Sequence, residues 1–211
     1  LTTIQDVLLE AQQQPLFTGV PRRIPYQIVS GKAFICIGIR RGGKSTLLHQ
    51  IIAKLKQSGS RDEDILYVNF FDDRLEQVRR GKLNLLTEAY YGLYPDKKGQ
   101  PGLHCFLDEV QMAEGWESFA DRLLRAEGMA VYASGSSSRL LSREIGTQMR
   151  GRSLAWELFP FSFLEYLDAR GIRPELRGQQ ERLKVRKAFE GYWECGGFPE
   201  VLDAASPIRV M

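Results

Sequence analysis

One stretch constrains the fold of this chain more than any other: residues 38–45, which read Gly-Ile-Arg-Arg-Gly-Gly-Lys-Ser. An apolar run, Ala33-Phe34-Ile35-Cys36-Ile37, precedes it, and leucines and isoleucines at helical spacing follow it. Strand, glycine-rich loop and helix in this order form the context in which Gly-x-x-x-x-Gly-Lys-Ser binds phosphate. The sequence therefore predicts a phosphate-binding loop, although the bare pattern also occurs by chance in ordinary strand–helix turns.

The residue types in this loop suit a nucleotide polyphosphate. Glycines let consecutive backbone N–H groups point inward, and the helix that follows presents unpaired N–H groups and the positive end of its dipole. Lys44 is expected to reach the β- and γ-phosphates, and the Ser45 hydroxyl is expected to ligate Mg²⁺. Arg40 and Arg41 could contact the nucleotide, or they could point to solvent or to a neighbour. The predicted binding residues are Gly38, Ile39, Arg40, Arg41, Gly42, Gly43, Lys44, Ser45 and Thr46.

Strand and helix patterns alternate along the rest of the chain. Strands are predicted over residues 33–37, 65–70, 103–107, 130–133 and 153–159. Apolar residues at helical spacing predict helices over 3–13, within 74–94 with a break at Gly81, over 116–124 and over 185–193. This alternation predicts an α/β fold with a mostly parallel sheet and helices on both faces.

Several other conspicuous residues have structural interpretations. Ser162-Phe163-Leu164-Glu165 is a capping box, and Ser137 or Ser138 is expected to cap a short helix through Leu140 and Leu141 toward Gly146. Gly196 to Pro199 is interpreted as a helix stop and restart. The basic pair Arg22-Arg23 is expected on a solvated surface. Core or half-buried positions are predicted for the tryptophans, Trp116, Trp156 and Trp193.

Polar residues follow the predicted strands where ligands gather in parallel sheets, at the carboxyl ends. Asp108 follows the third strand and suits the Mg²⁺ shell, through water and together with Ser45. Glu109 lies one residue farther and could orient and polarise an attacking water. Ser134 and Ser136 follow the fourth strand and could place a hydroxyl near the γ-phosphate. An acidic helix cap and a serine N-cap are the simpler alternatives.

The segment Arg150-Gly151-Arg152 lies just before the fifth strand. An arginine at this point could complete a neighbouring subunit's site as a charge-stabilising finger, and Arg152 is the candidate. A surface arginine is the equally plain alternative. The finger interpretation implies a homo-oligomer.

Composition and charge limit the other possibilities. The chain has 211 residues and a formal net charge of +3, with basic and acidic residues interspersed, so charge neither requires nor excludes nucleic acid. No apolar run approaches a membrane span, and no signal peptide is recognised. The three cysteines lie far apart, which favours buried thiols in a reducing cytoplasm over a disulfide or a zinc site. The first residue is Leu, and a fragment of a longer protein is expected.

A series of further motifs occurs in order with the loop: Asn69-Phe-Phe-Asp-Asp, Leu107-Asp-Glu-Val-Gln111, Ser134-Gly-Ser-Ser-Ser, Gly151-Arg152, Phe159-Pro-Phe-Ser-Phe-Leu-Glu165 and Gly196-Gly-Phe-Pro-Glu200. The series resembles the uncharacterised bacterial and archaeal AAA+-type P-loop ATPases that carry a C-terminal domain of unknown function, sometimes likened to restriction endonucleases. The resemblance runs from about residue 21 to 201. Two positions depart from the family pattern, since Ile39 and Ser45 stand where the family has proline and threonine.

The resemblance implies a five-stranded sheet of order 5-1-4-3-2. It also implies that Lys44, Ser45, Asp108, Glu109 and a serine of the 134–136 turn carry ATP hydrolysis, with Arg152 as the finger. The expected organisation is an N-terminal helix and connector over 1–20, an ATPase core over 21–172 and a partial helical lid over 173–211. The C-terminal domain of the family would lie beyond the chain.

Three functions fit these residues. The leading hypothesis is an ATPase of the AAA+ type that hydrolyses MgATP to drive a conformational change. A P-loop kinase is less favoured, because Glu109 would activate water that a kinase must exclude. A nucleotide-gated binding module with little turnover, linked to DNA through a partner domain, would share every binding residue.

Overall fold

A computed structural model describes residues 1–136, 149, 151–174 and 178–201 of the chain. Five strands form the sheet: β1 (Ala33–Gly38), β2 (Ile65–Asn69), β3 (His104–Asp108), β4 (Ala130–Ser136) and β5 (Ser153–Leu158). The described helices are α1 (Thr2–Gln13), α2 (Lys44–Gln57), α3 (Glu76–Arg79), α4 (Asn84–Leu93), α5 (Trp116–Ala126), α6 (Phe163–Ala169) and α7 (Gln179–Cys195). None of these helices is long and apolar enough to cross a membrane.

All strand pairs in the sheet are parallel, and the order is β2-β3-β4-β1-β5. This is the predicted order of 5-1-4-3-2 read from the other edge, so the prediction is confirmed. β1 pairs with β4 on one side and β5 on the other, and its last residue, Gly38, lies opposite Ser136 and Leu158. The carboxyl ends of the three strands therefore meet at the edge where the phosphate loop begins.

Side chains of β1 alternate between two cores because successive residues of a strand point to opposite faces. Phe34 and Cys36 pack with Leu48 and Ile51 of α2 on one face. Ile35 belongs to the larger core on the other face, which α1, α4 and α5 cover. Full burial of a leucine, isoleucine or phenylalanine side chain in these cores stabilises the fold by about 1.5–3 kcal/mol. The two cores hold the sheet rigidly between its helices.

Two predicted strand bounds differ from the structure in a way that matters for the site. β4 was predicted to end at Ala133 but continues through Ser136, because its ladder with β1 extends to Gly38. β3 likewise includes Asp108 as its last residue. The candidate residues Ser134 and Asp108 thus belong to strands rather than to turns. The predicted cap at Ser137 or Ser138 and the short helix through Leu140 and Leu141 lie outside the described residues.

The tryptophan predictions have mixed outcomes. Trp116 is buried and Trp156 is half-buried, as expected. Trp193 is 79% exposed, so its predicted core position is wrong. Ala188 and Tyr192 of α7 pack with α6, whereas Trp193 lies on the adjacent, exposed face of the helix.

The capping box that starts α6 is confirmed, and its glutamate has a second role. Ser162 Oγ accepts from the Glu165 N–H, and Glu165 Oε2 accepts from the Ser162 N–H at 2.8 Å. Glu165 Oε1 also accepts from Arg22 Nε at 2.9 Å, and the two side chains are only 4% and 2% exposed. Burial opposes ionisation of Glu165, but the bonds from Arg22 and from backbone N–H groups outweigh it and hold the pKa of Glu165 below its usual value.

We expect Glu165→Gln to lower the free energy of unfolding by about 3 kcal/mol, because it leaves the Arg22 guanidinium buried without a counter-charge. Asp168→Asn is the matched control, since the adjacent Arg23–Asp168 pair is 51% and 35% exposed. Its loss should cost less than about 1 kcal/mol. Urea unfolding of both variants measures the difference, and equal losses would contradict the buried-pair assignment.

The same variant has a pH signature. The pKa of Glu165 is lower in the folded chain than in the unfolded one, so the pair contributes its full stability above the unfolded pKa of about 4.3. That contribution is lost as pH falls through the folded pKa. The stability gap between wild type and Glu165→Gln should therefore narrow in acid.

Candidate functional site

The phosphate loop connects β1 to α2 and begins at a crowded position. A Cβ added to Gly38 would lie 2.4 Å from the backbone oxygen of Leu158, so the loop leaves the sheet where only glycine fits. Gly43 has a φ of 91°, and it directly precedes the first turn of α2. Lys44 is buried, and its Nζ donates to the Ile39 backbone oxygen at 3.0 Å. The side chain of Lys44, which is predicted to bind phosphate, thus folds back onto the loop itself.

Arg22 holds this loop from outside. Its Nη1 donates to the Gly42 backbone oxygen at 2.9 Å, and its Nη2 donates to the Phe159 backbone oxygen at 2.7 Å. Together with the ion pair to Glu165, these bonds join the connector between α1 and β1 (residues 14–32), the loop and the end of β5. The prediction that Arg22 lies on a solvated surface is therefore wrong: its side chain is only 2% exposed, and its guanidinium bonds to Glu165 and to two backbone oxygens.

A segment after α7 also contacts the loop. The helix ends at Cys195, Gly196 has a φ of 76°, and a short 3-10 turn follows over Pro199–Val201, which confirms the predicted stop and restart. Arg41 Nη1 lies 3.2 Å from Glu200 Oε2, and both side chains are more than 40% exposed, at 62% and 47%. Of the two arginines left open by the sequence, Arg41 thus pairs with this segment.

The acidic end of β3 is enclosed by hydroxyl donors. Asp108 is fully buried; its Oδ1 accepts from Ser134 Oγ, and its Oδ2 accepts from the Tyr67 hydroxyl at 2.9 Å. Burial raises the pKa of Tyr67, and the negative charge of Asp108 raises it further, so the phenol remains a donor. The structure therefore brings Ser134 to Asp108, with the two side chains on adjacent strands.

Glu109 has an unusual backbone and a bridging partner. Its φ of 60° and ψ of 47° lie in the left-handed region, where a non-glycine residue is disfavoured. Its N–H donates to Ser134 Oγ at 3.3 Å. The side-chain amide of Gln111 donates from Nε2 to Glu109 Oε2 and accepts from the Ser136 N–H at 3.2 Å. Ser136 thus contributes its backbone N–H to the site, as the donor to Gln111.

The donor set suits Mg²⁺. Ser45 offers a hydroxyl on the first turn of α2, and Asp108 offers a carboxylate, which are the hard oxygen ligands that Mg²⁺ prefers. Within the described residues, no cluster of three or more His, Cys, Asp or Glu side chains could hold a metal ion. Mg²⁺ is commonly held by one or two protein ligands with waters and phosphates, so this sparse set fits. Both Asp108 oxygens already accept protein hydrogen bonds, which favours contact through water.

Two cavities flank the loop. One, of about 500 Å³, lies between the connector, the first turn of α2 and the residues around α6 and α7. Its lining residues are Phe17, Gly19, Val20, Arg22, Gly43, Thr46, Phe161, Ala169, Arg170 and Pro199. The other, of about 420 Å³, lies between α1, α2 and β2, and it includes Ser45 and Tyr67. The first combines apolar walls such as Phe17 and Pro199 with the arginines Arg22 and Arg170, and the second carries charged residues such as Glu10 and Arg74.

Arg152 lies away from the other predicted site residues. Its backbone oxygen accepts from the Ala33 N–H at 2.8 Å, at the point where β1 begins. The loop starts at the other end of β1, and a strand of six residues spans about 20 Å. Arg152 Nη1 donates to Asp121 Oδ1 of α5 at 2.8 Å. Arg150 lies outside the described residues.

Three residues of the site had no assigned role from the sequence: Arg22, Tyr67 and Gln111. Gln111 lies within the quoted Asp-Glu-Val-Gln motif, so its place in that series was an available signal. Tyr67 precedes Asn69 by two residues on β2, which puts it on the same face. No local sequence pattern indicates the hydrogen-bond partners of Arg22, because they lie 20, 137 and 143 residues away along the chain.

The backbone strain at Glu109 can be measured. We expect Glu109→Gly to be about 1 kcal/mol more stable than Glu109→Ala, because glycine adopts the left-handed conformation without a steric cost. Exposed Glu114, whose φ is not positive, is the control, and there the alanine variant should be more stable by about 0.5 kcal/mol. Urea unfolding midpoints of the four variants test whether glycine is the more stable substitution at residue 109 and alanine at residue 114. If alanine is the more stable substitution at both residues, the backbone at Glu109 is not strained.

Comparison with known proteins places the chain in a family. A family model described as an AAA domain matches residues 30–167. An uncharacterized protein of Methanocaldococcus jannaschii is 33% identical over 183 residues, which cover 86% of this chain and 39% of that protein. An uncharacterized protein of Haemophilus influenzae is 33% identical over 174 residues, which cover 82% and 40%. The chain thus spans about two fifths of the length of these curated relatives.

Among solved structures, AMPPCP-bound DnaA from Aquifex aeolicus superposes with a TM-score of 0.42 at 16% identity, covering 89% of this chain and 58% of that chain. The C-terminal restriction-endonuclease-like domain implied by the resemblance is not shown by these matches and stays a prediction. The family model covers more than half of the chain, and it includes the phosphate loop, the Asp108-Glu109 pair and β5. The chain belongs to the AAA domain family.

Proposed function

We propose that this chain binds MgATP and hydrolyses it to drive a conformational change in an attached domain or a partner. The observation that carries the proposal is the position of Asp108 and Glu109 at the end of β3, joined through Ser134 of β4 to the sheet edge where the phosphate loop begins. Membership in the AAA domain family supports the same assignment.

The roles of the residues follow from their chemistry. The N–H groups of the loop and Lys44 would bind the β- and γ-phosphates. Ser45 and Asp108 would hold Mg²⁺, which when bound neutralises charge on the phosphates. Glu109 would orient the attacking water and accept its proton. The hydroxyls of Ser134 and Tyr67 would keep the Asp108 carboxylate in place.

The cavity of about 500 Å³ beside the loop is proposed as the site of the adenine base. It adjoins Gly43 and Thr46, so a base bound there would be continuous with phosphates on the loop. Phe17 and Pro199 offer apolar contacts from the connector and from the segment after α7. Nucleotide pockets of this kind combine apolar walls with few polar groups.

One contact favours the second function, a nucleotide-gated binding module. Arg41 of the loop pairs with Glu200 of the segment after α7, so phosphate binding at the loop would compete for this arginine. Such a switch needs no fast turnover. This switch is compatible with hydrolysis. The rate of phosphate release distinguishes an ATPase that drives a conformational change from a binding module with little turnover.

Arg152 would act only in a neighbouring copy of the chain. Its position at the start of β1 and β5 is separated from its own phosphate loop by the length of the strands. A finger role would require a homo-oligomer in which Arg152 exchanges its contact with Asp121 for a neighbour's phosphates. A role in binding nucleic acid has no support from the charge distribution of the chain.

Phosphate release from MgATP tests the hydrolytic proposal. We expect Glu109→Gln to bind ATP normally and to release phosphate about a hundredfold or more slowly, because the water loses its base. Lys44→Ala should bind ATP poorly, because a buried charge for the phosphates is lost. Exposed Glu114→Gln and Lys82→Ala serve as matched controls and should match the wild type. If wild type binds ATP but Glu109→Gln changes nothing, the gated module becomes the better assignment.

The base site has a separate test. Ala169→Trp would fill the cavity and should weaken ATP binding about tenfold or more, because the indole would occupy the space of the base. Binding of tripolyphosphate, which has no base, should be unchanged. Leu164→Trp is the control, since Leu164 is exposed on the same helix and does not line the cavity. Titration calorimetry with both ligands measures the effect, and a parallel loss of tripolyphosphate affinity would contradict the assignment.

A further inference from the structure

The side chain of Gln111 connects two parts of the site. Its amide nitrogen donates to the carboxylate of Glu109, and its amide oxygen accepts from the Ser136 N–H. Ser136 lies opposite Gly38, the first residue of the phosphate loop, in the β1–β4 ladder. A continuous path of hydrogen bonds and strand pairing therefore runs from the loop through β4 and Gln111 to Glu109.

Gln111 lies in a short 3-10 turn, Val110–Met112, which does not need this side chain. Its backbone bonds close it independently, with the Met112 N–H donating to the Glu109 oxygen at 3.0 Å and the Ala113 N–H to the Val110 oxygen at 3.0 Å. Among the described residues, no other side chain hydrogen-bonds the Glu109 carboxylate. A glutamate has three side-chain torsions, so a carboxylate without a partner would sample many positions.

We propose that Gln111 is a positioning residue that orients the Glu109 carboxylate for water activation and ties its position to the end of β4. The inference rests on the proposed hydrolytic function. A base must lie within hydrogen-bond reach of its water, and a displacement of about 1 Å can cost about a hundredfold in rate. Gln111 contributes by holding the carboxylate in place and does not contact the nucleotide itself.

Two substitutions separate the two hydrogen bonds of Gln111. Gln111→Met keeps the approximate shape and removes both bonds. Gln111→Glu keeps an acceptor for the Ser136 N–H but replaces the donor to Glu109 with a like charge. Both variants should lower kcat by about tenfold or more, while KM for ATP and the melting temperature stay near those of the wild type. The adjacent, exposed Met112→Ala is the control and should leave kcat unchanged.

A double-mutant cycle with Glu109→Gln tests whether Gln111 acts through Glu109. In single-turnover experiments, Gln111→Met should have no further effect when Glu109 is already Gln, because the carboxylate that it orients is absent. An equal fall in both backgrounds would overturn the proposal. A kcat of Gln111→Glu equal to that of the wild type would also overturn it, because only the bond to the Ser136 N–H would then matter.

Failure of the proposed function has a different signature. In that case the wild type would bind ATP without releasing phosphate, and the inference about Gln111 would fall with it. If the wild type hydrolyses ATP and the Gln111 variants change only KM, hydrolysis stands and the positioning role is overturned.

Discussion

The pairing of β1 with β4 and β5 is the constraint on which the site depends. It brings Gly38 against the Leu158 backbone at a distance that admits no side chain, and the phosphate loop leaves the sheet at this point. On the other side, the ladder of β1 with β4 continues to Ser136, and the pairing of β4 with β3 places Ser134 beside Asp108. The loop and the acidic residues therefore have fixed relative positions before any ligand binds. Preorganisation of this kind suits the proposed hydrolysis of ATP, because phosphoryl transfer proceeds almost entirely by positioning and electrostatics.

Buried charges in this fold are held by partners whose positions also shape the site. Asp108 is fully buried and accepts from two hydroxyls, and the Arg22–Glu165 pair is almost inaccessible to water. Such groups are costly to bury, and they persist where hydrogen bonds compensate for lost hydration. Arg22 also donates to Gly42 in the phosphate loop. The energetic need to satisfy a buried guanidinium thus ties the loop to α6 and to the end of β5.

The sequence predicted most of the fold because the signals that determine it are local. Loop glycines, apolar strand runs and the Ser162–Glu165 box each act over a few residues, and the strand order followed from family resemblance. The contacts of Arg22, Tyr67 and Gln111 depend on register between distant segments, which periodicity does not encode. Trp193 shows the converse error, because helical spacing marks an apolar face without showing whether a neighbour covers it. A role of Arg152 as a finger in a second copy of the chain likewise depends on contacts between chains, which local sequence patterns do not encode.

The contact between the loop and the segment after α7 has a strength suited to a switch. An exposed pair such as Arg41–Glu200 contributes about 0–1 kcal/mol, so a bound polyphosphate could replace it at little cost. The same segment also packs closely against the backbone at Phe161. A Cβ at Gly197 would lie 2.2 Å from the Phe161 backbone oxygen, so this contact tolerates no side chain. A ligand shifts a conformational equilibrium only by its differential affinity for the two states. In the proposed function, the exposed ion pair is therefore the element that nucleotide can change, while the Gly197 contact keeps the segment close to the loop.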